Sequence, residues 1–182
     1  MKIVELNLWH GGGRRLQMIA DWLEAQKADL LVLSEWRANQ GGRDLADRLA
    51  TSGYSINAQA RDRLSNGLFI ASRSPVATKT LTPEGADKGE LILAELPCAL
   101  TLIGAYFPQS YAQIPFIEAC HNAAVATSWP LVIVGDLNTG CNTWDREAGG
   151  APFHCAAQFT SLTSRSGLTD LWRHRHGGEA RE

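Results

Sequence analysis

LVIVGDLN, at residues Leu131–Asn138, is the stretch that decides the fold of this chain. Four branched aliphatic residues in a row are typical of a strand buried on both faces, and the Gly that follows ends it. Because side chains alternate along a strand, Asp136 and Asn138 point toward the same side, where a loop rich in Gly, Asn and Thr begins. A carboxylate beside an amide at a sheet edge can hold a water molecule and a phosphate oxygen together. Ordinary turn residues would look the same, because Asp, Asn and Gly are also common in turns.

Composition places the chain among ordinary globular proteins. Its 182 residues are 45% apolar and 20% charged, which suits one domain over 1–182. The net charge of −2 argues against a protein that coats nucleic acid through bulk electrostatics, but it permits an enzyme that binds a few phosphates locally. The sequence lacks a membrane span, a signal peptide and zinc-like cysteine spacing. We therefore expect a reduced, cytoplasmic protein that contacts no membrane.

The pattern of apolar residues predicts alternating elements at both ends of the chain and strands in the middle. The predicted strands cover 2–9, 30–33, 54–59, 66–72, 75–82, 90–96, 100–107 and 131–135, and the predicted helices cover 14–27, 41–52, 113–128 and about 153–165. The short links between the middle strands favour antiparallel pairing, because a parallel pair needs a longer crossover. The expected fold class is α+β, an α/β sandwich in which mixed, largely antiparallel sheets pack face to face and helices cover the outer faces.

Three more polar side chains lie near predicted strand ends, as Asp136 and Asn138 do: Asn7, Glu35 and Tyr106. Each has an ordinary explanation, because Asn is common before a Gly loop, a Glu after a strand is usually solvated and a Tyr usually packs. Together they are harder to dismiss, since mixed sheets bring binding groups at strand ends to one crevice. Their oxygen ligands suit Mg²⁺, Mn²⁺ or Ca²⁺ and suit zinc poorly. Carboxylates without a covalent nucleophile indicate metal-assisted hydrolysis of a phosphate ester.

Six stretches of the chain resemble the endonuclease/exonuclease/phosphatase superfamily, in that family's order and over nearly the whole length. They read NLW at 7–9, LSE at 33–35, NGLFIASRSP at 66–75, YFP at 106–108, GDLN at 135–138 and GLTDLWR at 167–173. The last stretch is most similar to the exonuclease III and abasic-site endonuclease branch. The resemblance implies a metal-dependent phosphodiester hydrolase, a nuclease acting on DNA, with Mg²⁺ as its cofactor or Mn²⁺ in its place.

The resemblance also implies a role for each of the five polar residues. Glu35 would be the principal metal ligand, with Asn7 alongside it. Asp136 would orient or deprotonate the attacking water, and its loss would be severe because general-base help contributes about 10²–10⁴-fold. Asn138 would hold that water or a phosphate oxygen, and Tyr106 would hydrogen-bond the scissile phosphate. Asn7, Tyr106 and Asn138 would therefore also contact the substrate.

The chain departs from the family pattern on its C-terminal side. Family members continue into further strands that end in a Ser-Asp-His element, and this sequence contains none. The available histidines all lie outside the expected context: His10, His121, His154, His174 and His176. We therefore expect the C-terminal strands to be missing, so that an exposed sheet edge invites self-association. We also expect a phosphate donor to be missing, a loss that typically costs about 10²–10³ in rate.

Two other functions stay open at this point. The same fold could act on a phospholipid, an inositol phosphate or another small phosphodiester, because variable loops set the specificity. Without the terminal His, the chain could instead be a catalytically weak binding or assembly module. For nucleic acid, Trp9 or Trp144 could stack on a base. Arginines could meet phosphates, at Arg14, Arg15, Arg61, Arg63, Arg173 and Arg175.

Arg73 and Asp170 also lie in family-like stretches, but each has a simpler structural explanation. Arg73 can close a turn, and Asp170 can cap a helix or pair with Arg173. Neither is therefore predicted to belong to the site.

Overall fold

A computed structural model describes residues 1–141 and 143–178 and shows a mixture of strands and helices. The strands are β1 (Ile3–Asn7), β2 (Leu30–Trp36), β3 (Ser55–Gln59), β4 (Gly67–Ser72), β5 (Ala77–Thr80), β6 (Glu90–Leu96), β7 (Leu100–Tyr106) and β8 (Leu131–Asp136). The α-helices are α1 (Leu16–Gln26), α2 (Gln40–Thr51), α3 (Ile114–Ala126), α4 (Ala156–Ser166) and α5 (Leu171–His176). Short 3₁₀ turns cover Gly13–Arg15, Ser110–Gln113 and Thr143–Asp145.

Eight strands form two four-stranded sheets, in the orders β1-β2-β4-β3 and β5-β6-β7-β8. The β1–β2 pair and the β7–β8 pair are parallel, whereas the other neighbours are antiparallel. Each parallel pair is joined through a helix, as a parallel crossover requires. The predicted mixed and largely antiparallel sheets are therefore confirmed.

Apolar side chains fill three layers. One layer packs the first sheet against α1 and α2, with Leu23, Leu33 and Leu49 fully buried. A middle layer lies between the two sheets, and a third packs the second sheet against α3 and α4. Because β2 and β7 contribute to a layer on each of their faces, their interior residues are buried. The expected sandwich with helices on the outer faces is confirmed.

The outer edge of β8 differs from the sequence prediction. All six residues of β8 are only partly buried, so the expectation of a strand buried on both faces was wrong. The physical reason is its position, since β8 pairs only with β7 within residues 1–141 and 143–178. A groove of about 1710 Å³ runs along this strand to α4. The predicted exposed sheet edge is therefore present in the part of the chain that the structure describes.

Smaller differences lie at element ends. β1 ends at Asn7 and not at Trp9, because the backbone turns into the left-handed region at Trp9. α4 begins at Ala156, three residues later than expected, and the short helix α5 was not predicted. The domain limit predicted at residue 182 lies outside the described residues.

None of the helices in the described part of the chain combines the length and the apolar character that crossing a bilayer requires.

Candidate active site

Four strands end at one place and bring the predicted residues together. Asn7 ends β1, Glu35 lies near the end of β2, Tyr106 ends β7 and Asp136 ends β8. The two parallel pairs account for this convergence, because neighbouring parallel strands present their carboxyl ends at the same edge. Tyr106 and Asp136 are also direct partners in the β7–β8 register. The site therefore lies between the two sheets at their common edge.

Asn7 links the two acidic residues. Its side-chain nitrogen donates to Asp136 Oδ2 at 2.7 Å and lies 3.3 Å from Glu35 Oε1. Its side-chain oxygen accepts the backbone N–H of Trp9 at 2.7 Å. Asn7 therefore presents its amide nitrogen, and not its oxygen, to the carboxylates. This arrangement holds two like charges close together, and its predicted role as a metal ligand stays a prediction.

Glu35 is held in a fixed and unusual conformation. Its φ of +55° lies in the left-handed region, at a register shift between β2 and β4. Its Oε2 accepts the backbone N–H of His10 at 2.7 Å and the side-chain nitrogen of Asn66 at 2.9 Å. The side chain is only 14% exposed. These contacts hold the Glu35 carboxylate in one orientation at the sheet edge where β1, β7 and β8 also end.

Asp136 and Asn138 contact each other, as their spacing predicts. The backbone N–H of Asn138 donates to Asp136 Oδ1 at 3.1 Å, and its side-chain nitrogen lies 3.2 Å from Asp136 Oδ2. That nitrogen also donates to the carbonyl of Phe107 at 2.9 Å. Gln113 donates to the carbonyl of Asn138 at 2.6 Å, which fastens the left-handed backbone at this position. Asn138 therefore orients Asp136 and ties the loop to β7.

The electrostatic surroundings raise the pKa of Asp136 above its ordinary value. Burial is the largest cause, and the negative charge of Glu35 adds to it. Hydrogen bonds from Asn138 and Asn7 oppose the shift because they favour the ionised form. A carboxyl group with a raised pKa is a better proton acceptor than an ordinary aspartate, which suits a general base.

Tyr106 keeps its phenolic proton over a wider pH range than an ordinary tyrosine. Burial is the largest cause that raises its pKa, and the nearby negative charges of Glu35 and Asp136 raise it further. A hydrogen bond from Asn66 lowers the pKa but does not cancel these effects. The side-chain nitrogen of Asn66 donates to the Tyr106 hydroxyl oxygen at 3.3 Å. Because that oxygen accepts this bond, its proton can be directed to another acceptor, such as a phosphate oxygen.

Three residues that the sequence did not assign to the site complete it. Asn66 contacts both Glu35 and Tyr106, and Arg37 Nε fixes it by donating to its oxygen at 2.7 Å. The only signal for Asn66 was its position in a family-like stretch. His10 Nδ1 lies 3.1 Å from Glu35 Oε2, although its sequence context gave no indication of a role.

Glu5 precedes Asn7 by two positions on β1, so the two side chains lie on the same face of the strand. Ser34 donates to its Oε1 at 3.2 Å. Burial raises the pKa of Glu5, and the charge of Asp136 adds a smaller effect in the same direction. A third carboxyl group therefore lies near Asp136, and it lines the groove along β8 together with Asn7 and Asp136.

The donor set of the crevice suits a hard cation with few protein ligands. No group of three or more His, Cys, Asp and Glu side chains comes together as a metal cluster among residues 1–141 and 143–178. Mg²⁺ commonly uses only one or two carboxylates, and it completes its coordination with water and substrate phosphates. Glu35 can supply such a carboxylate, and Asn7 links it to Asp136, which is left beside it for the attacking water. The residues present therefore fit Mg²⁺ and do not resemble a zinc site.

The simpler explanations for Arg73 and Asp170 agree with the structure. Arg73 donates to the carbonyls of Ala28 and Ser52, at 3.2 Å in each case, and lies over the ring of Tyr54. It therefore closes the connection between α2 and β3.

Asp170 caps α5 by accepting the backbone N–H of Arg173 at 3.0 Å. The Arg173 side chain forms an ion pair with Asp145 and is only 12% exposed. This pair fastens the loop after β8, so the expectation that Arg173 meets a backbone phosphate does not match its position.

Comparisons with known proteins identify the family and show the fold. The sequence profile of the Endonuclease/Exonuclease/phosphatase family matches residues 4–180. An AP endonuclease from Archaeoglobus fulgidus superposes with a TM-score of 0.78 and 20% identity, over 97% of this chain and 75% of that one. A 3'-5' exonuclease from Neisseria meningitidis superposes with a TM-score of 0.79 and 21% identity, over 99% of this chain and 77% of that one.

A third solved structure carries nucleic acid. It is a 3' phosphatase from Neisseria bound to a product DNA hairpin, with a TM-score of 0.78 and 21% identity, over 97% of this chain and 75% of that one. Among curated protein sequences, none is similar enough to this chain to count as a match.

Proposed function

We propose, from the premise that this chain belongs to the endonuclease/exonuclease/phosphatase family, that it is a Mg²⁺-dependent phosphodiesterase acting on DNA. One observation carries the proposal. The amide nitrogen of Asn7 joins a carboxylate of the first sheet, Glu35, to a carboxylate of the second, Asp136. An apolar core gains nothing from holding two acidic groups this close, whereas hydrolysis of a phosphodiester needs both a cation site and a base.

Each residue of the site has a task in this reaction. Asp136, with its raised pKa, accepts a proton from the water that forms the new bond to phosphorus. The P–O bond to the leaving oxygen breaks, and that oxygen takes a proton from the solvent. Asn7 and Asn138 hold that carboxylate in place from two sides. Tyr106 donates its phenolic proton to a non-bridging oxygen of the phosphate. Preorganised groups of this kind act without reorganising during the reaction, which is the source of their effect.

Glu35 is the residue that would hold Mg²⁺. Asn7 is proposed beside it, and this role would require its side-chain oxygen, which accepts the backbone N–H of Trp9, to turn toward the cation. When bound, the cation neutralises charge on the phosphate and lowers the pKa of bound water. Asn66 and the backbone N–H of His10 fix the Glu35 carboxylate in the orientation that binding requires.

DNA is the proposed substrate for two reasons. The structural neighbours are described as an AP endonuclease, a 3'-5' exonuclease and a 3' phosphatase with a DNA hairpin. In this chain, Arg14 and Arg15 follow the loop that begins at Asn7, so positive charge lies close to the carboxylates in the sequence. Such charges position a backbone phosphate and carry no sequence information.

The test measures Mg²⁺-dependent cleavage of plain and abasic-site DNA, with RNA and small phosphodiesters in parallel. We expect Asp136→Asn to lower the cleavage rate about 10²–10⁴-fold, which is the usual contribution of a general base. Glu35→Gln should lower the rate and raise the Mg²⁺ concentration needed for half-maximal activity. Asp47→Asn, on the exposed face of α2, is the matched control and should cleave at the wild-type rate. Equal rates for the wild type and both site variants would overturn the proposal.

The open edge of β8 supports a second proposal, that this strand pairs with another copy of the chain. Leu131–Gly135 carries no charge, whereas the edge strand β5 at the other side of the sheet is exposed and carries Lys79. Charged side chains are a common protection against edge pairing. Sedimentation should show a concentration-dependent dimer that Ile133→Lys weakens. A monomer at every concentration would contradict this proposal.

A further inference from the structure

Trp9 is exposed to an unusual degree for its size. It follows Asn7 by two positions and is 68% exposed, whereas the neighbouring Leu8 is fully buried in the core. Trp9 belongs to none of the three apolar layers of the described chain. An indole in water gives no packing energy to the fold, so its placement calls for another explanation.

The loop that carries Trp9 has a strained backbone. Five successive residues have positive φ: Trp9 (+53°), His10 (+58°), Gly11 (+78°), Gly12 (+78°) and Gly13 (+51°). Glycine adopts this region without cost, but Trp9 and His10 do not. Non-glycine residues persist in such conformations where the surroundings fix them, and they concentrate at functional sites.

The active site itself holds this loop. The backbone N–H of Trp9 donates to Asn7 Oδ1, and that of His10 donates to Glu35 Oε2, both at 2.7 Å. The backbone N–H of Gly11 donates to the carbonyl of Glu35 at 2.8 Å. The backbone that carries the indole is therefore fixed relative to Asn7 and Glu35, the two residues proposed to hold the cation.

Arg15 lies against the indole. Its guanidinium carbon is 5.4 Å from the ring centroid, and Nη2 donates to the carbonyl of Leu8 at 3.0 Å. This contact restricts both side chains and places a positive charge beside an exposed aromatic surface. Single-stranded nucleic acid is bound by this combination, in which a ring stacks on a base and a cation meets the backbone.

We propose that Trp9 and Arg15 form a stacking platform for the nucleobase adjacent to the phosphate that is cleaved. This inference rests on the proposed function, because it assigns the substrate of the same site to nucleic acid with an unpaired or displaced base. Every base has a stacking face, so the platform is tolerant of sequence. Small phosphodiesters without a base gain nothing from it.

The test measures binding by fluorescence anisotropy in the Asp136→Asn background, so that cleavage does not obscure the result. The probes are a labelled single-stranded oligonucleotide and a sugar–phosphate strand of the same length without bases. We expect Trp9→Ala to raise Kd for the first probe about 5- to 150-fold and to leave the second unchanged, as loss of one stacked base does. Trp9→Phe should restore most of the affinity. Trp129→Ala is the control, because Trp129 is also exposed but precedes β8 at the opposite end from Asp136.

The outcomes separate the two proposals. A wild-type Kd for Trp9→Ala on the base-containing probe, or no binding of that probe by the reference protein, overturns the platform. Mg²⁺-dependent cleavage by the wild-type chain would still stand in that case. Conversely, a base-dependent loss in Trp9→Ala without any cleavage by the wild type supports the platform and overturns the proposed hydrolysis.

Discussion

The side-chain nitrogen of Asn7 lies 2.7 Å from Oδ2 of Asp136, although 129 positions separate the two residues in the sequence. This bond crosses from the first sheet to the second, at the edge where β1 and β8 end. The middle apolar layer aligns the two sheets, and the bond then fixes the two strand ends relative to each other. The site therefore depends on the packing of the whole sandwich and not on one local motif.

We predict that Asn7→Ala lowers kcat about 10²–10³-fold while the protein stays folded. Removal of one preorganised donor typically has an effect of this size, and Asn7 is exposed, so little packing is lost. Steady-state kinetics and circular dichroism measure the two quantities. Asn57→Ala, which removes a contact with Thr78 away from the site, should leave kcat unchanged. A wild-type kcat for Asn7→Ala would contradict the assignment of this bond.

The pH dependence of activity provides a second prediction. Since the base acts when ionised and the pKa of Asp136 is raised, the acid limb of kcat/KM should lie above the ordinary aspartate value of 3.8. The Asn7 hydrogen bond lowers this pKa, so Asn7→Ala should move the acid limb to higher pH. Measurement of kcat/KM from about pH 4 to 9 checks both statements. A shift of the limb to lower pH would show that another group titrates.

Much of this structure could be predicted from the sequence, because its signals are local. Apolar patterning and turn residues predicted the strands, polar side chains near strand ends predicted the five site residues, and the resemblance then implied a role for each. Asn66 and His10 were not predicted because neither lies at the end of a strand. His10 lies on the left-handed loop after β1, and Asn66 precedes β4. The partial burial of β8 escaped because an apolar run reports hydrophobicity and not the presence of a neighbouring strand. The cytoplasmic location stays a prediction.

Glu5 provides a prediction on stability. Its folded-state pKa is raised by burial, so its protonated form is favoured in the folded protein. The resulting stabilisation is present below the unfolded-state pKa and is lost as pH rises through the folded-state pKa. The Tm of Glu5→Gln should therefore exceed that of the wild type by more at about pH 8 than at about pH 4. Scanning calorimetry measures this difference, with Glu95→Gln on the exposed side of β6 as control. A difference that shrinks with rising pH would be the wrong sign.

Gly135→Ala should destabilise the protein and disable the site at once. Gly135 has a φ of +147°, and a Cβ there would lie 1.9 Å from the carbonyl oxygen of Ala105. Neither this backbone conformation nor the space around it accommodates a side chain. The backbone conformation alone would destabilise the folded state by on the order of 1–3 kcal/mol for a residue other than glycine. Because β8 must shift away from β7 to relieve the clash, Asp136 moves with it and its bond to Asn7 is lost.

Denaturant unfolding and cleavage rates measured on the same samples test this expectation. Gly178→Ala is the matched control, since a Cβ at that position meets nothing within 4 Å. It should keep the free energy of unfolding and the rate of the wild type. Full stability with lost activity in Gly135→Ala would mean that the strand absorbs the clash and only the carboxylate is displaced. Full activity would mean that Asp136 does not depend on the register of β8, which contradicts the site described above.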